Sequence, residues 1–157
     1  MMLANYCRSA FQVNVEDYAG FDLPFADADA LPEWAANAIK FAYASKLING
    51  KLNTADGLVY YKPADTLTRA EITVILGRLL LRDDASAAPA MTDEALLPDW
   101  AVYDIRKSVA QEVAWLYDDG AFRHGDKVSR AETARMFFNM YGKSQGQLWF
   151  YVLNRNK

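Results

Sequence analysis

The sequence predicts a mainly α-helical protein made of tandem helix-loop-helix repeats, and two observations support this fold class. First, apolar residues recur at the spacing of an amphipathic helix in several segments of the 157-residue chain. Second, residues 25–39 resemble residues 91–105 at a constant offset of 66, with six of fifteen positions identical. Residues 61–71 resemble residues 122–132 at an offset of 61, so the copies differ by five residues in the loop between them. The sequence therefore contains a duplicated unit of two helices.

The first helix of each copy is predicted to open at a proline. Pro32 suits the first helical turn, and Glu33 complements the positive end of the helix dipole. Trp34 then heads an apolar stripe at helical spacing. Residues 98–105 repeat this pattern, and the pair at residues 49–50, Asn-Gly, is expected to end the first of these helices.

The second helix of each copy is predicted to open with a capping box. In such a box a hydroxyl accepts a hydrogen bond from a free backbone amide, and a glutamate three residues later closes the box reciprocally. The two boxes are Thr68-x-x-Glu71 and Ser129-x-x-Glu132. We assign these residues mainly a structural role, worth about 1 kcal/mol for each box.

An arginine follows the hydroxyl in both boxes and needs a separate explanation. A cation in the first helical turn opposes the helix dipole, so Arg69 and Arg130 carry a local cost. Either each arginine forms an internal ion pair, or it binds an anionic ligand beside the free helix amides. The residues alone favour neither explanation.

Tryptophan and aspartate also recur at matching positions. Trp34 and Trp100 head their apolar stripes, which is typical of core residues, whereas an aromatic face with a polar handle also suits stacking on a sugar ring. Asp27 and Asp93 lie seven residues before the tryptophans and are expected to cap turns. Asp27-x-Asp29 is too sparse for a calcium loop, so no metal site is predicted.

Composition and charge disfavour several classes of function. The chain has 17 basic and 20 acidic residues and no concentrated basic segment, which argues against nucleic-acid binding. Cys7 is the only cysteine, so neither an internal disulfide nor a zinc or iron–sulfur centre is expected, and no cofactor is predicted. His124 is the only histidine and no catalytic triad is expected. We therefore predict that the chain is not an enzyme.

Signals for membrane insertion or export are not expected from the sequence. The longest apolar run lies within residues 72–81 and is far shorter than the roughly 20 residues that cross a bilayer. Residues 1–8 have no basic leader and too few apolar residues for a secretory signal. We expect that the chain either stays inside the cell or lacks its true beginning.

The repeats predict how the chain is organised. Residues 2–8 resemble residues 136–139, so the chain is expected to begin inside a truncated repeat. The predicted segments are the last helix of that truncated repeat with its connector (1–22), a complete repeat (23–82), a linker (83–90), a diverged repeat (91–142) and a C-terminal tail (143–157). The apolar run 148–153 in the tail is compatible with a strand or with a docking helix.

This combination of motifs resembles the S-layer homology domain of bacterial cell-surface proteins. The resemblance rests on the tryptophan-led helix, the turn at residues 47–50, the aromatic-x-Pro segment that ends at Pro63, and the motif at residues 68–71. It covers residues 23–81 well. It implies that three repeats form a pseudo-threefold helical bundle, here with the first repeat truncated, and that the protein is located at the cell surface, in the cell wall.

The resemblance also implies a ligand and a function. Grooves between such repeats bind secondary cell-wall polymer, an anionic polysaccharide often carrying pyruvylated N-acetylmannosamine, and thereby anchor a surface protein. By this resemblance Arg69 and Arg130 contact the carboxylate of the pyruvate ketal, with Arg69 as the principal contact. Gly50 lets the backbone approach the sugar. The remaining groove residues are Trp34, Trp100, Asp27 and Asp93.

Departures in the diverged repeat keep a second function open. Residues 113–118 stand where a Gly-Ile-x-Gly turn is expected, and His124 replaces the proline of the other copy. The alternative is a helical protein-interaction or assembly module without carbohydrate binding, whose apolar tail at residues 148–153 docks a partner.

Overall fold

The computed structural model describes residues 2–80 and 82–144. These residues form five α-helices: α1 (Met2–Phe11), α2 (Glu33–Ala44), α3 (Arg69–Gly77), α4 (Asp99–Ala110) and α5 (Arg130–Ser144). Two short antiparallel strands, β1 (Lys51–Leu52) and β2 (Val59–Tyr60), pair Lys51 with Tyr60 and Leu52 with Val59. The predicted mainly α-helical fold class is confirmed, whereas the pseudo-threefold arrangement stays a prediction. The apolar run at 148–153 lies outside the described residues.

The chain divides into two compact units at the Asp65–Thr66 junction. The first contains α1, α2 and the hairpin, and the second contains α3, α4 and α5. This junction falls inside the predicted repeat 23–82, and the predicted segment boundaries stay predictions. None of the helices in the described parts is long and apolar enough to cross a membrane.

In the first unit, α2 and the loops around it build an apolar core. Phe25, Ala35 and Ile39 are buried together, and Val59 and Tyr61 pack against them. The helix follows the proline as predicted, because Pro32 is its N-cap residue. It ends earlier than predicted: α2 stops at Ala44, and Lys46 takes a left-handed conformation with φ of 58°.

The early end of α2 has a local cause. The backbone amide of Leu47 donates to the carbonyl oxygen of Ala42 at 2.9 Å, and the amide of Ile48 donates to the same oxygen at 3.3 Å. These bonds satisfy a carbonyl that the helix leaves unpaired at its C-terminus. The apolar side chain of Leu47 is buried just after the helix ends.

In the second unit, α3 packs closely against α4. A Cβ atom added at Gly77 would lie 2.9 Å from the Cβ of Asp104, so only glycine permits this approach. The fully buried side chains of Leu76, Ile105 and Met136 contribute to the core of the unit. The close approach holds the C-terminal end of α3 against the middle of α4.

The structure repeats the duplication seen in the sequence. Each first helix is preceded by a short 3₁₀ turn, Ala28–Ala30 before α2 and Glu94–Leu96 before α4. Both helices have 12 residues. The copies differ where the five residues are lost: the first has the β1–β2 hairpin, and the second has a tight turn in which the Tyr117 amide donates to the Ala121 carbonyl at 2.9 Å.

Candidate functional site

The repeated aspartates clamp the segment that leads to each second helix. The Asp27 carboxylate accepts hydrogen bonds from the backbone amides of Tyr61 and Lys62, both at 2.8 Å. Asp93 holds the amides of residues 122–123 in the same way, at 2.8 and 2.7 Å. In both copies the second of these residues has a positive φ, 58° at Lys62 and 59° in its counterpart. The aspartates therefore bind the protein's own backbone across a distance in sequence rather than capping a local turn.

The clamp changes the acidity of the Asp27 carboxyl group. Partial burial alone would raise its pKa. The amides of Tyr61 and Lys62, together with the charge of Lys62, outweigh this effect and hold the pKa of Asp27 below its ordinary value. Asp27 is therefore an ionised structural acceptor at neutral pH, and its oxygens already have donors.

The first motif arginine lies inside the protein. Arg69 is 0% exposed, its Nε donates to the Phe122 carbonyl at 2.9 Å, and its Nη2 donates to the Trp115 carbonyl at 3.0 Å. Its guanidinium lies 4.8 to 5.0 Å from the ring centroids of Trp115, Tyr117 and Phe122, and its Nη1 lies 3.5 Å from the Glu132 carboxylate. Burial lowers the pKa of Arg69, which nonetheless remains charged.

The amides at the start of α3 are occupied as well. Arg69 donates its backbone N–H to the Asp126 carbonyl at 2.9 Å, and Ala70 donates to the His124 carbonyl at 3.0 Å. The Glu71 amide donates to the Thr68 hydroxyl at 3.2 Å, and the Glu71 carboxylate accepts from the Thr68 amide at 2.8 Å, which completes the predicted capping box. Neither the guanidinium nor the helix amides are open to a ligand here. This is at odds with the expectation that Arg69 is the principal anion contact.

The second motif arginine has the opposite environment. Arg130 is exposed, and within the described residues its side chain has neither a carboxylate nor a hydrogen-bond acceptor. The Ser129 hydroxyl accepts from the Glu132 amide at 3.1 Å, and the Glu132 carboxylate accepts from the Ser129 amide at 2.9 Å. The amides of Arg130 and Ala131 have no acceptor in the described part of the chain. The start of α5 therefore keeps the free amides and the exposed arginine that suit an anion.

Glu132 links the two motifs. Its carboxylate closes the second capping box and also faces the buried guanidinium of Arg69. The Ser129 amide, then the Ser129 hydroxyl and the Arg69 charge, hold the pKa of Glu132 below its ordinary value. Of the two explanations for the arginines, the internal ion pair thus describes Arg69.

The recurrent tryptophans do not lie in the core. Trp34 is 69% exposed and Trp100 is 58% exposed, so of the two interpretations of these residues the core one is wrong. Both follow the N-cap proline by two positions, and the stripe behind them is buried through Ala35 and Ala101 instead. Each first helix therefore presents an indole to solvent at its start, an arrangement compatible with stacking on a sugar.

Gly50 is required by the protein's own packing. Its φ is 79°, and an added Cβ would lie 2.6 Å from ring and methyl carbons of Phe25 and Val59. The equivalent position in the diverged copy, at the offset of 66, is Leu116. The glycine thus has a structural explanation beside the predicted one of approach to a sugar.

Two features of the structure were not found from the sequence. Asp84 precedes another 3₁₀ turn, Ala85–Ala87, and has the same backbone angles as Asp27 and Asp93. The signal was present, since all three aspartates lie five residues before a proline, here Pro89. The second feature is an open cleft of about 500 Å³ beside Trp115 in the second unit, lined in part by Arg135. Its residues come from loop and helix positions that share no motif.

These elements define a small helical repeat module with clamped loops and indoles exposed at the helix starts. Residues 24–73 match the family model of the S-layer homology domain, so this segment is a member of that family. The resemblance stated from the sequence is confirmed. The family match supports anchoring in the cell wall as the general function and the cell surface as the location.

Three relatives match parts of the chain. Cell surface glycoprotein 1 of Acetivibrio thermocellus is 32% identical over 55% of this chain and 4% of its own length. The cellulosome-anchoring protein of the same organism is 33% identical over 53% of this chain and 19% of its own length. An amylopullulanase of Thermoanaerobacterium thermosulfurigenes is 26% identical over 84% of this chain and 7% of its own length. The chain thus spans less than a fifth of each relative. No solved structure gives a significant match.

Proposed function

We propose that this chain anchors a surface protein by binding an anionic, pyruvylated secondary polymer of the cell wall, and that it has no catalytic activity of its own. The observation that supports this proposal most directly is the N-terminus of α5. There Arg130 is exposed beside backbone amides that have no acceptor in the described residues. A carboxylate such as that of a pyruvate ketal is complementary to a guanidinium and free helix amides. Arg130, rather than Arg69, is the proposed anion contact.

The exposed indoles supply the second part of the proposal. Trp34 and Trp100 offer broad apolar faces to solvent at matching places, and pyranose rings present C–H groups that stack on such faces. In this proposal Arg69, Asp27 and Asp93 hold the loops in place without touching the polymer.

Co-sedimentation with Gram-positive cell-wall sacculi tests this proposal. Wild type should bind intact sacculi, and binding should be lost when the secondary polymer is extracted. Arg130→Gln and Trp100→Ala should each weaken binding roughly two- to tenfold, as expected for about 0.5–1.5 kcal/mol per contact. Higher salt should weaken wild type more than Arg130→Gln.

Two variants serve as matched controls. Phe138→Ala removes an aromatic side chain of α5 that is more exposed than either tryptophan, and Arg82→Gln removes an exposed arginine. Both should bind sacculi like wild type. If folded wild type does not bind sacculi, or if the controls lose as much as Arg130→Gln, the proposal is wrong.

The helical interaction module remains the second candidate because of one surface. Trp100 and Tyr103 are exposed three residues apart on α4, and Leu96 is exposed in the 3₁₀ turn that precedes this helix. An apolar surface of this kind predicts association that depends on protein concentration. Sedimentation of a monomer at all concentrations, together with sacculus binding, would favour the anchor.

A further inference from the structure

The turn before β1 contains two neighbouring residues whose atoms can react with each other. Asn49 and Gly50 form the only Asn-Gly pair of the sequence, and both are exposed to solvent. The backbone nitrogen that follows an asparagine can attack the carbonyl carbon of the asparagine side chain. A glycine hinders this attack least, because it has no Cβ. The pair is therefore of the type that loses ammonia spontaneously.

The attacking nitrogen is not protected by a hydrogen bond. Among residues 2–80 and 82–144 the Gly50 N–H group has no acceptor, and the Asn49 side chain has no hydrogen-bond partner. An N–H group held by a carbonyl would first have to break its hydrogen bond, which costs free energy. Both reacting groups are thus accessible in the folded protein.

Two Asp-Gly pairs in the described residues have the opposite arrangement. In the pair at residues 56–57 the glycine amide donates to the Asn53 carbonyl at 2.8 Å. In the pair at residues 119–120 the glycine amide donates to the Tyr117 carbonyl, also at 2.8 Å. The nitrogen that would attack the aspartate is therefore engaged in both pairs.

The aspartates of these two pairs are also poor sites of attack. The Leu58 amide and the Tyr60 hydroxyl donate to the Asp56 carboxylate and hold its pKa below the ordinary value. Arg123 donates to the Asp119 carboxylate and lowers its pKa in the same way. An ionised carboxylate loses an oxygen far less readily than a neutral amide loses ammonia. The fold thus protects both Asp-Gly pairs and leaves the Asn-Gly pair open.

We propose that Asn49 is a deamidation site of the folded protein. The Gly50 nitrogen loses its proton and bonds to the side-chain carbonyl carbon of Asn49. The bond between this carbon and the amide nitrogen breaks, and that nitrogen leaves as ammonia with a proton in return. Water then opens the resulting cyclic imide at one of its two carbonyl carbons. Opening at the side-chain carbonyl gives aspartate, and opening at the backbone carbonyl gives isoaspartate.

The isoaspartate product should loosen the first unit, because its backbone is longer by one methylene group. Gly50 has little room to move, since an added Cβ would lie 2.6 Å from carbons of Phe25 and Val59. The diverged copy has Trp115 and Leu116 at the equivalent positions and carries no such pair. This inference goes beyond wall binding and does not depend on it, because it concerns the covalent structure of the turn.

Peptide mass spectrometry of the full chain tests the site. The folded protein is incubated at mildly alkaline pH in water enriched in heavy oxygen, in parallel with protein unfolded in guanidinium chloride. Trypsin, used afterwards in ordinary water, cleaves at Lys46 and Lys51 and so separates Asn49 from Asp56. Asn49 should exchange its NH2 group for labelled oxygen at a rate within tenfold of that in the unfolded chain.

The same digests supply the controls. Both Asp-Gly pairs should form isoaspartate at least tenfold more slowly in the folded chain than in guanidinium chloride. Asn49→Gln should take up no label at position 49, because its longer side chain closes the imide ring far more slowly. If Asn49 reacts more than tenfold more slowly in the folded chain than in the unfolded one, the fold protects this pair as well and the proposal is wrong.

Thermal unfolding tests the effect on the first unit. The isoaspartate form is isolated by chromatography and compared with Asn49→Asp, which has the same charge and an ordinary backbone. The isoaspartate form should melt at least about 3 °C below Asn49→Asp. Equal melting temperatures would show that the longer backbone is accommodated, and would overturn the loosening of the turn.

Discussion

At the scale of single residues, the arginines at the same position of the two motifs have opposite environments. Arg69 is enclosed by aromatic rings and backbone carbonyls, while Arg130 is exposed beside amides that have no acceptor among residues 2–80 and 82–144. The residues alone left two explanations open for the arginines, whereas the family resemblance assigned both to the ligand with Arg69 as the principal contact, which the burial of Arg69 does not fit. Trp115 and Phe122, the partners of Arg69, lie about fifty residues later in the chain, and no local sequence pattern predicts contacts over such a distance.

Replacing Arg69 should cost far more stability than replacing Arg130. Arg69→Ala leaves the Phe122 and Trp115 carbonyls without donors inside the protein, so the free energy of unfolding should fall by about 3 kcal/mol. Arg130→Ala removes an exposed side chain and should stay within about 0.5 kcal/mol of wild type. Urea unfolding followed by circular dichroism measures both. Equal stability of the two variants would contradict the buried assignment.

The Asp27 clamp should make stability depend on pH in the acid range. The pKa of Asp27 is lowered in the folded state, so its contribution is complete above the unfolded value of about 3.9 and is lost as pH falls through the folded value. In Asp27→Asn the side-chain NH2 group faces one of the two backbone N–H donors, so one hydrogen bond is lost. The free energy of unfolding at neutral pH should fall by about 2 kcal/mol. The melting temperature of the variant should fall less steeply with acid than that of wild type. Parallel curves would rule out this role for the carboxylate.

At the scale of elements, the sequence predicted helix starts better than helix ends. The prolines and the capping boxes predict helix starts because they act through a fixed φ angle and through local hydrogen bonds. Helices α2, α3 and α4 each begin directly after such a residue. The end of α2 depends on Lys46 entering a left-handed conformation, which lysine does not favour by itself, and on the core that buries Leu47, which forms only in the fold. The strands were harder still, since two-residue strands carry no periodicity.

Gly50→Ala distinguishes packing from ligand approach at the turn before β1. The substitution forces an alanine to a φ of 79° and places its Cβ against Phe25 and Val59, so stability should fall by about 2 kcal/mol. Thermal unfolding measures the loss. Gly57→Ala is the control for backbone strain alone, because Gly57 has a similar φ of 73° but open space around it. If Gly50→Ala loses no more than the control does, close packing does not explain this glycine.

At the scale of the whole molecule, the duplication was predictable and the exposed surface was not. Repeated residues revealed the paired helices, because each copy must satisfy the same local physics. The exposure of a side chain depends on which faces of its helix other segments cover. Trp34 and Trp100 head apolar stripes and are nevertheless exposed, so the stripe alone does not show which of its residues are buried. Arg135 and Trp115 meet only through the fold, so their cleft had no sequence signal.

Cys7 offers a direct measure of opening in the first unit. The side chain is fully buried, and burial raises the pKa of its thiol to about 12, so the thiolate is scarce in the folded state. Alkylation by iodoacetamide should be at least a hundredfold slower in buffer than in unfolding concentrations of urea. The rate should rise with urea in step with the loss of helical signal. Rapid alkylation of the folded protein would contradict burial.

The aspartate clamp has a consequence for loop length. Asp27 fixes Tyr61 and Lys62 from the start of the repeat, so the place where the chain returns from the hairpin does not depend on how many residues precede the clamped pair. The two copies already accommodate a hairpin in one case and a tight turn in the other. The exposed tip at residues 54–57 is therefore a place where foreign peptides can be grafted for display, while Asp27 keeps its hydrogen bonds to Tyr61 and Lys62.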